Sequence, residues 1–247
     1  MRLDIAISNR FNITRERAKY LIESERICLN GNVINRASMK ASMKVCESDV
    51  INIIGEVLIN RGAEKLDNFL QILGDIGLCG SNAIDVGSST GGFAQVLLKY
   101  GAKSVTCVDV GANQLHKSLR KDSRIILHES TDIRDFKALC SYDILTCDVS
   151  FISIRKIFAH LRNLSSRMIL LFKPQFDLQI GSSQISSARS RVFNKKGVIK
   201  DSKKRDILLS DFEIFIKQND FEIMHMQMAQ PRGKEGNCEY FFYIKKY

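Results

Sequence analysis

The apolar pattern of the chain changes character near residue 60. Leu3, Ile5, Ala6 and Ile7 begin an apolar stripe. Thr14 then stands as an N-cap before a stretch in which Ala18, Leu21 and Ile22 recur at helical spacing. Ile27-Cys28-Leu29-Asn30-Gly31-Asn32-Val33-Ile34 reads as a strand, an Asn-Gly turn and a second strand, the tight-hairpin signature. Val50–Ile54 supplies a closing strand. Residues 1–58 are therefore expected to form a small α+β domain, with 59–64 as a linker.

From residue 65 to 247 the pattern alternates between short apolar segments and amphipathic stretches. Asn82–Val86, Ser104–Val108, Arg124–Leu127, Tyr142–Cys147 and Met168–Phe172 are strand-like; Phe93–Tyr100, Asn113–Arg120 and Ile154–Leu164 are helical. Such alternation predicts an α/β domain of the Rossmann type, with helices on both faces of a mainly parallel sheet. A helix around Lys203–Gln218 leads to two last strands, Phe221–Met228 and Tyr240–Lys245, read as an antiparallel pair that brings the sheet to seven strands. Gly181–Arg191 interrupts the pattern. It is serine-rich and followed by Lys195, Lys196, Lys200, Lys203, Lys204 and Arg205, which predicts a basic surface loop.

Charge adds a partner to this picture. The 247 residues carry 37 Lys+Arg against 27 Asp+Glu, a net charge of +10. An excess of that size favours a polyanion, because each phosphate contact releases condensed counterions. The seven cysteines are scattered without a C-x-x-C pair and the four histidines stand apart, so no metal is expected and the cysteines read as small core residues of a reduced, cytoplasmic protein. The N-terminal residues lack the apolar core of a signal peptide, and no apolar run approaches membrane-spanning length.

The most informative segment is Ala83-Ile84-Asp85-Val86-Gly87-Ser88-Ser89-Thr90-Gly91-Gly92-Phe93. An apolar strand runs into a glycine-rich turn and then a helix, the arrangement by which Rossmann-like domains hold a nucleotide. The spacing is not G-x-G-x-x-G and no G-K-[ST] follows, which disfavours a pyrophosphate or triphosphate. S-adenosylmethionine needs no phosphate cradle but does need an acid for its ribose. Asp109 closes the second strand roughly 20 residues after the turn, where such an acid is expected. Asp132 follows the third strand, placed to accept from the adenine amino group, and Val110 and Ile133 adjoin the two acids. Asp85, the turn Gly87–Phe93, Asp109, Val110, Asp132 and Ile133 form the expected cofactor site.

Four charged residues stand where neither core nor surface calls for them. Lys65 precedes the first helix expected in this domain, Asp148 and Lys173 end the fourth and fifth strands, and Glu239 opens the last. Strand ends of an open α/β sheet face the ligand crevice, so Asp148 and Lys173 should converge beside the methyl donor. Methyl transfer to a weakly acidic hydroxyl requires a group that accepts its proton, and Lys173 is the candidate. A free lysine near pKa 10.4 is protonated at neutral pH. A neighbouring cation, for which Lys65 is available, and partial burial lower that value, whereas Asp148 raises it.

These segments resemble the TlyA family of ribosomal RNA ribose 2′-O-methyltransferases, relatives of FtsJ once labelled haemolysins. The resemblance spans nearly the whole chain. It is carried by Arg2-Leu3-Asp4, Arg61-Gly62, Lys65-Leu66, the glycine-rich turn, Asp148-Val149-Ser150-Phe151-Ile152-Ser153, Lys173-Pro174-Gln175-Phe176 and Gly236-Asn237-Cys238-Glu239-Tyr240. It implies that Lys65, Asp148, Lys173 and Glu239 form the Lys-Asp-Lys-Glu catalytic tetrad. It further implies that residues 1–58 are similar to the RNA-binding domain of ribosomal protein S-four, with Arg2, Arg15 and Arg36 at phosphate-contacting positions. The implied substrate is a cytidine of ribosomal RNA, in the large subunit and in some members also the small. Apart from the resemblance, no membrane partner is expected, and of the oligomeric states open to the chain a monomer is favoured. Two departures bear on target choice. The basic stretch after Phe176 is long, so that Lys195-Lys196-Gly197-Val198-Ile199 comes late, and the linker Glu56-Val57-Leu58-Ile59 lacks an aromatic. A non-catalytic assembly factor, a membrane-lytic protein and a pseudouridine synthase are the competing classes. The first leaves the tetrad unexplained, the second lacks a spanning segment, and the third has no use for the glycine-rich turn.

Overall fold

The computed structural model describes residues 1–34, 43–55, 57–177, 198–199, 201–233 and 236–247. The chain divides into two compact units, Met1–Asn60 and Arg61–Tyr247.

In the first unit the N-terminal stripe becomes α1 (Leu3–Phe11), followed by α2 (Arg15–Glu23). Thr14 Oγ1 accepts the Arg17 N–H at 3.1 Å, a cap that stabilises the helix by about 1 kcal/mol. A three-stranded sheet has β1 (Ile27–Leu29) at its centre, antiparallel to β2 (Asn32–Val33) and β3 (Ile51–Ile53). Asn30 and Gly31 take φ of 48° and 83°, the two left-handed positions of the tight turn for which Asn-Gly is suited. Leu3, Ile7, Ala18, Leu21 and Ile27 are fully buried and form the core. Asp4 is buried among them and accepts from two arginines, Arg2 Nε at 3.0 Å and Arg15 Nη2 at 3.2 Å. Burial pushes its pKa up, yet the two guanidiniums outweigh that effect and hold it below the usual carboxylate value. Arg36 lies outside the described residues.

The second unit opens with α3 (Arg61–Leu73), so residues 61–64, expected as linker, are its first turn, and Lys65 sits within the helix rather than before it. The strands follow as β4 (Asn82–Val86), β5 (Ser104–Val108), β6 (Ile125–His128), β7 (Ile144–Cys147), β8 (Arg167–Phe172), β9 (Phe221–Met228) and β10 (Tyr240–Lys246). Their order across the sheet is β6-β5-β4-β7-β8-β10-β9. The first five are parallel to one another, and β10 runs antiparallel to both β8 and β9. The last strand thus enters between two others instead of ending the sheet. Strand order reverses between β4 and β7, which places the loops after these strands side by side.

The helices of this unit are α4 (Gly92–Lys99), α5 (Lys117–Arg120), α6 (Phe158–Leu161), α7 (Pro174–Asp177) and α8 (Ser202–Gln218). The stretch expected as one helix over Ile154–Leu164 is split into a 3-10 turn at Ile154–Lys156 and the short α6. Ile84, Leu145, Met168 and Leu170 are fully buried in the sheet, and Phe212 of α8 stacks on Phe172 with ring centroids 4.1 Å apart. Each such side chain contributes about 1.5–3 kcal/mol relative to exposure. All seven cysteines are free, and the expectation of core cysteines holds for Cys107 and Cys147; Cys46, Cys79 and Cys140 are exposed. No helix among the described residues is long and apolar enough to cross a membrane. The serine-rich segment Gly181–Arg191, with Lys195, Lys196 and Lys200, lies outside the described residues.

Candidate active site

The glycine-rich turn follows β4 because its backbone must turn sharply without side chains in the way. Gly87 has φ of 79°, and a Cβ there would stand 2.6 Å from the backbone oxygen of Asp148. The loop after β4 therefore rests directly on the loop after β7. Ser89 and Gly91 continue the turn at positive φ, and Gly91 caps α4.

Asp109, after β5, ties two loops together. Its Oδ2 accepts the Ser89 N–H and its Oδ1 the Gly111 N–H, each at 2.7 Å. A carboxylate has about four acceptor positions, so both oxygens keep capacity for hydroxyl donors. Asp132, after β6, is more fully engaged. Its Oδ1 accepts from the Arg134 backbone N–H and from Arg134 Nε, both at 2.9 Å, and its Oδ2 from Nη2 at 2.6 Å. Arg134 holds its pKa at about 2, against the small opposing effect of burial. An adenine amino group would have to share these oxygens with Arg134.

A cleft of about 510 Å³, within the range of small-molecule sites, is lined by Gly87, Ser89, Asp109, Val110, Asp132, Ile133 and Asp148 among the expected residues. Val108, Ile152 and Ile157 add apolar walls. Turn glycines, acids placed for ribose hydroxyls and apolar faces for a heterocycle suit an adenosyl cofactor. Ser88, Thr90, Gly91, Gly92 and Phe93 build the turn but do not line the cleft. Asp85 does not line it either. It is fully buried behind the turn, where Thr146 Oγ1 donates to its Oδ1 at 2.8 Å. Burial pushes its pKa up to about 7, with the nearby charge of Asp148 adding to the rise and the Thr146 hydrogen bond opposing it.

The four charged residues meet as two pairs. Lys173 Nζ lies 2.5 Å from Asp148 Oδ1 and donates to Ser150 Oγ at 3.0 Å. Lys65 Nζ lies 2.5 Å from Glu239 Oε2, with both side chains over nine-tenths buried. Lys65 is therefore engaged by Glu239, and Lys173 is not left as a depressed amine. Burial pushes the Lys173 pKa down, but Asp148 and Glu239 together outweigh it and hold the group above the ordinary lysine value. Of the opposed effects on Lys173, the neighbouring carboxylates prevail and favour its charged form.

Two features of the cleft were not read from the sequence. Gln114 lines it, and its Oε1 accepts from Ser89 Oγ at 3.1 Å while its amide packs over Gly111. Nothing in the spacing marks a glutamine just before the short helix α5; only the neighbouring Gly111, which leaves room for it, was a signal. Phe151 stands at the rim with φ of 68° and 87% exposure, its ring 5.5 Å from that of Phe176. An aromatic in the strand-end loop was visible, but its exposure was not.

Strand order, turn and cleft together define an S-adenosylmethionine-dependent methyltransferase. Comparison with known proteins narrows this class. The sequence profile of the FtsJ-like methyltransferase family matches residues 58–246. The 23S rRNA (cytidine-2′-O)-methyltransferase TlyA of Campylobacter jejuni is 38% identical over 100% of this chain and 100% of its own length. The 16S/23S rRNA (cytidine-2′-O)-methyltransferase TlyA of Mycobacterium tuberculosis is 28% identical, covering 94% of this chain and 84% of that one. A solved structure of a hemolysin-labelled protein from Streptococcus thermophilus superimposes with a TM-score of 0.70 at 27% identity, over 100% of this chain and 88% of that one. The chain belongs to the FtsJ-like methyltransferases and, among them, to the TlyA family.

Proposed function

We propose that this protein methylates the ribose 2′-hydroxyl of a cytidine in ribosomal RNA, with Asp148 and Lys173 at the reacting hydroxyl. The observation that carries this reading is the Lys173–Asp148 pair, 2.5 Å apart, with Asp148 on the wall of the cofactor cleft. The 38% identity to the Campylobacter enzyme over both full lengths supports cytidine and the large subunit, and the mycobacterial relative's name supports the small subunit as a further target.

When bound, S-adenosylmethionine supplies an electrophilic methyl group. The protein's own part is to hold the cofactor's ribose at Asp109, to present the RNA hydroxyl and to take its proton. Lys173 Nζ is the acceptor in this reading and must first give up a proton, so the rate rises with pH through the Lys173 ionisation. Asp148 and Ser150 hold Nζ in place, and Lys65 with Glu239 fixes the field behind it. Arg2 and Arg15, pinned to buried Asp4 with their outer faces exposed, are proposed as phosphate contacts of an RNA-binding N-terminal unit. The protein is proposed to work in the cytoplasm as a monomer on ribosomal particles. The hemolysin label of the streptococcal protein is not carried over.

The test is methyl transfer from labelled S-adenosylmethionine to intact ribosomes and separated subunits, with wild type and Lys173→Ala. Label recovered as 2′-O-methylcytidine and lost in the variant is expected. Label on a base, or none on any particle despite cofactor binding, would sink the proposal.

A further inference from the structure

The reactive pair sits on two loops, residues 148–153 after β7 and 173–177 after β8. They touch at Lys173, which reaches Asp148 and Ser150. They are joined a second time, away from the cleft wall, by Asp177, the last residue of α7.

Both carboxylate oxygens of Asp177 are used in this second join. Ser153 Oγ donates to Oδ1, and Arg155 Nε donates to Oδ2 at 2.8 Å. Ser153 Oγ also accepts the Arg155 backbone N–H at 3.2 Å, capping the 3-10 turn that ends the first loop. Arg155 is fixed in turn, its guanidinium 5.5 Å from the ring centroid of Phe212 and 4.8 Å from that of Phe215, both on α8. Asp177 and Ser153 are buried, at 7% and 4% exposure. The result is a bracket that crosses from one loop to the other and is anchored on a core helix. A carboxylate taken out of water and spent on two donors from a single neighbouring loop holds that loop in one place, because breaking either bond leaves a buried polar group unsatisfied.

We propose that Asp177 is a positioning residue, which through Ser153 and Arg155 sets the separation of Asp148 and Lys173 required for methyl transfer. The inference rests on the reading of Lys173 as proton acceptor. The contact between Lys173 and Asp148 must loosen whenever Lys173 changes its protonation state or meets a hydroxyl, whereas the bracket lies outside that exchange and keeps the two loops in register throughout. The groups facing Lys173 are Asp148 and Cys147 on the β7 side and Glu239 before β10, with Lys65 of α3 held by Glu239. If the bracket opens, Asp148 recedes, the ammonium loses its nearest carboxylate, and the acid limb of the pH–rate profile moves to lower pH.

The experiment compares Asp177→Asn, Ser153→Ala and Ser153→Thr with wild type, and with Lys173→Ala run in parallel. It measures methyl transfer to ribosomal subunits across pH, cofactor affinity by calorimetry, and thermal unfolding. Asp177→Asn and Ser153→Ala are expected to lower kcat by about tenfold or more, as misplacement of reacting groups does. The KM for S-adenosylmethionine should stay within about twofold, the pattern of an interaction realised only in the transition state. Their acid limb should move to lower pH, and Ser153→Thr, which keeps the hydroxyl, should restore the wild-type limb. Loss of cofactor affinity and melting temperature in parallel, with an unmoved limb, would show a merely structural bracket and overturn the proposal. So would wild-type kinetics in both variants while Lys173→Ala is inactive. Full activity of Lys173→Ala would instead overturn the reading of Lys173 on which the proposal stands.

Discussion

The two lysine–carboxylate pairs of this protein have the same chemistry and the same 2.5 Å separation, yet they occupy different settings. Lys65 and Glu239 are closed off, with side-chain exposures of 9% and 8%. In the other pair Lys173 is equally covered at 10%, but Asp148 keeps 25% exposure and forms part of the cleft wall. A closed pair can only shape its surroundings. A pair open on one side can meet a ligand, change partners and move a proton. The difference comes from position in the fold: Asp148 ends a strand at the point where the sheet order reverses, while Glu239 precedes a strand enclosed by two others.

The sharpest way to break this comparison is to delete each lysine. Lys173→Ala should lower methyl transfer by about 10²–10⁴-fold, the range for loss of a proton-transfer group, and change cofactor affinity far less. Lys65→Ala strands Glu239 without its buried partner, and such a broken pair costs on the order of 3–5 kcal/mol of stability. Chemical denaturation of both variants, beside their methyl-transfer rates, would separate the two roles; equal stability losses would erase the distinction.

A smaller effect is expected at Gly87. Gly87→Ala forces a Cβ against the Asp148 backbone at a left-handed position, costing about 1–3 kcal/mol of local strain. That strain falls on the open pair and the cofactor turn alone. Titration calorimetry should show S-adenosylmethionine binding weakened by about ten- to a hundredfold, with the Lys65–Glu239 side unaffected. Undiminished affinity would mean the two loops yield more easily than their contact implies.

The smallest effect concerns Asp85, a third carboxylate near the open pair that has no lysine. Its folded pKa of about 7 lies above its ordinary value of 3.8. The folded protein therefore holds more protons than the unfolded chain between those values, and its stability falls as pH rises through that window. Asp85→Asn removes this dependence. Denaturant midpoints at pH 5 and pH 8 should lie closer together in the variant than in wild type, and an unchanged gap would count against a buried, proton-holding Asp85.

Much of this architecture was legible in the residues, and what was not has identifiable causes. The β4 and β5 spans agree with the apolar segments Asn82–Val86 and Ser104–Val108, because central strands of a parallel sheet are buried on both faces and read as unbroken apolar runs. The start of α3 was missed because Arg61–Glu64 has no apolar face of its own until Ala63, so its first turn resembled linker. The sequence neighbours of Asp85 point to the cofactor turn, and strand alternation, which directs its side chain behind that turn toward Thr146, is not visible in them. The meeting of Lys173 with Asp148 followed from strand ends, whereas the pairing of Lys65 with Glu239, 174 residues apart, depended on where α3 packs. No local pattern contains that packing.

The position of β10 has a consequence for how the protein is made. Chains are synthesised from the N-terminus and their parts fold as they emerge. When β8 is complete, its pairing partner along one edge is still unwritten: α8 and β9 must be made before Tyr240–Lys246 can slip between β8 and β9. Until then both strands present bare edges, and Glu239 has not reached Lys65. The sheet and the Lys65–Glu239 pair are therefore completed together, by the same late-made strand.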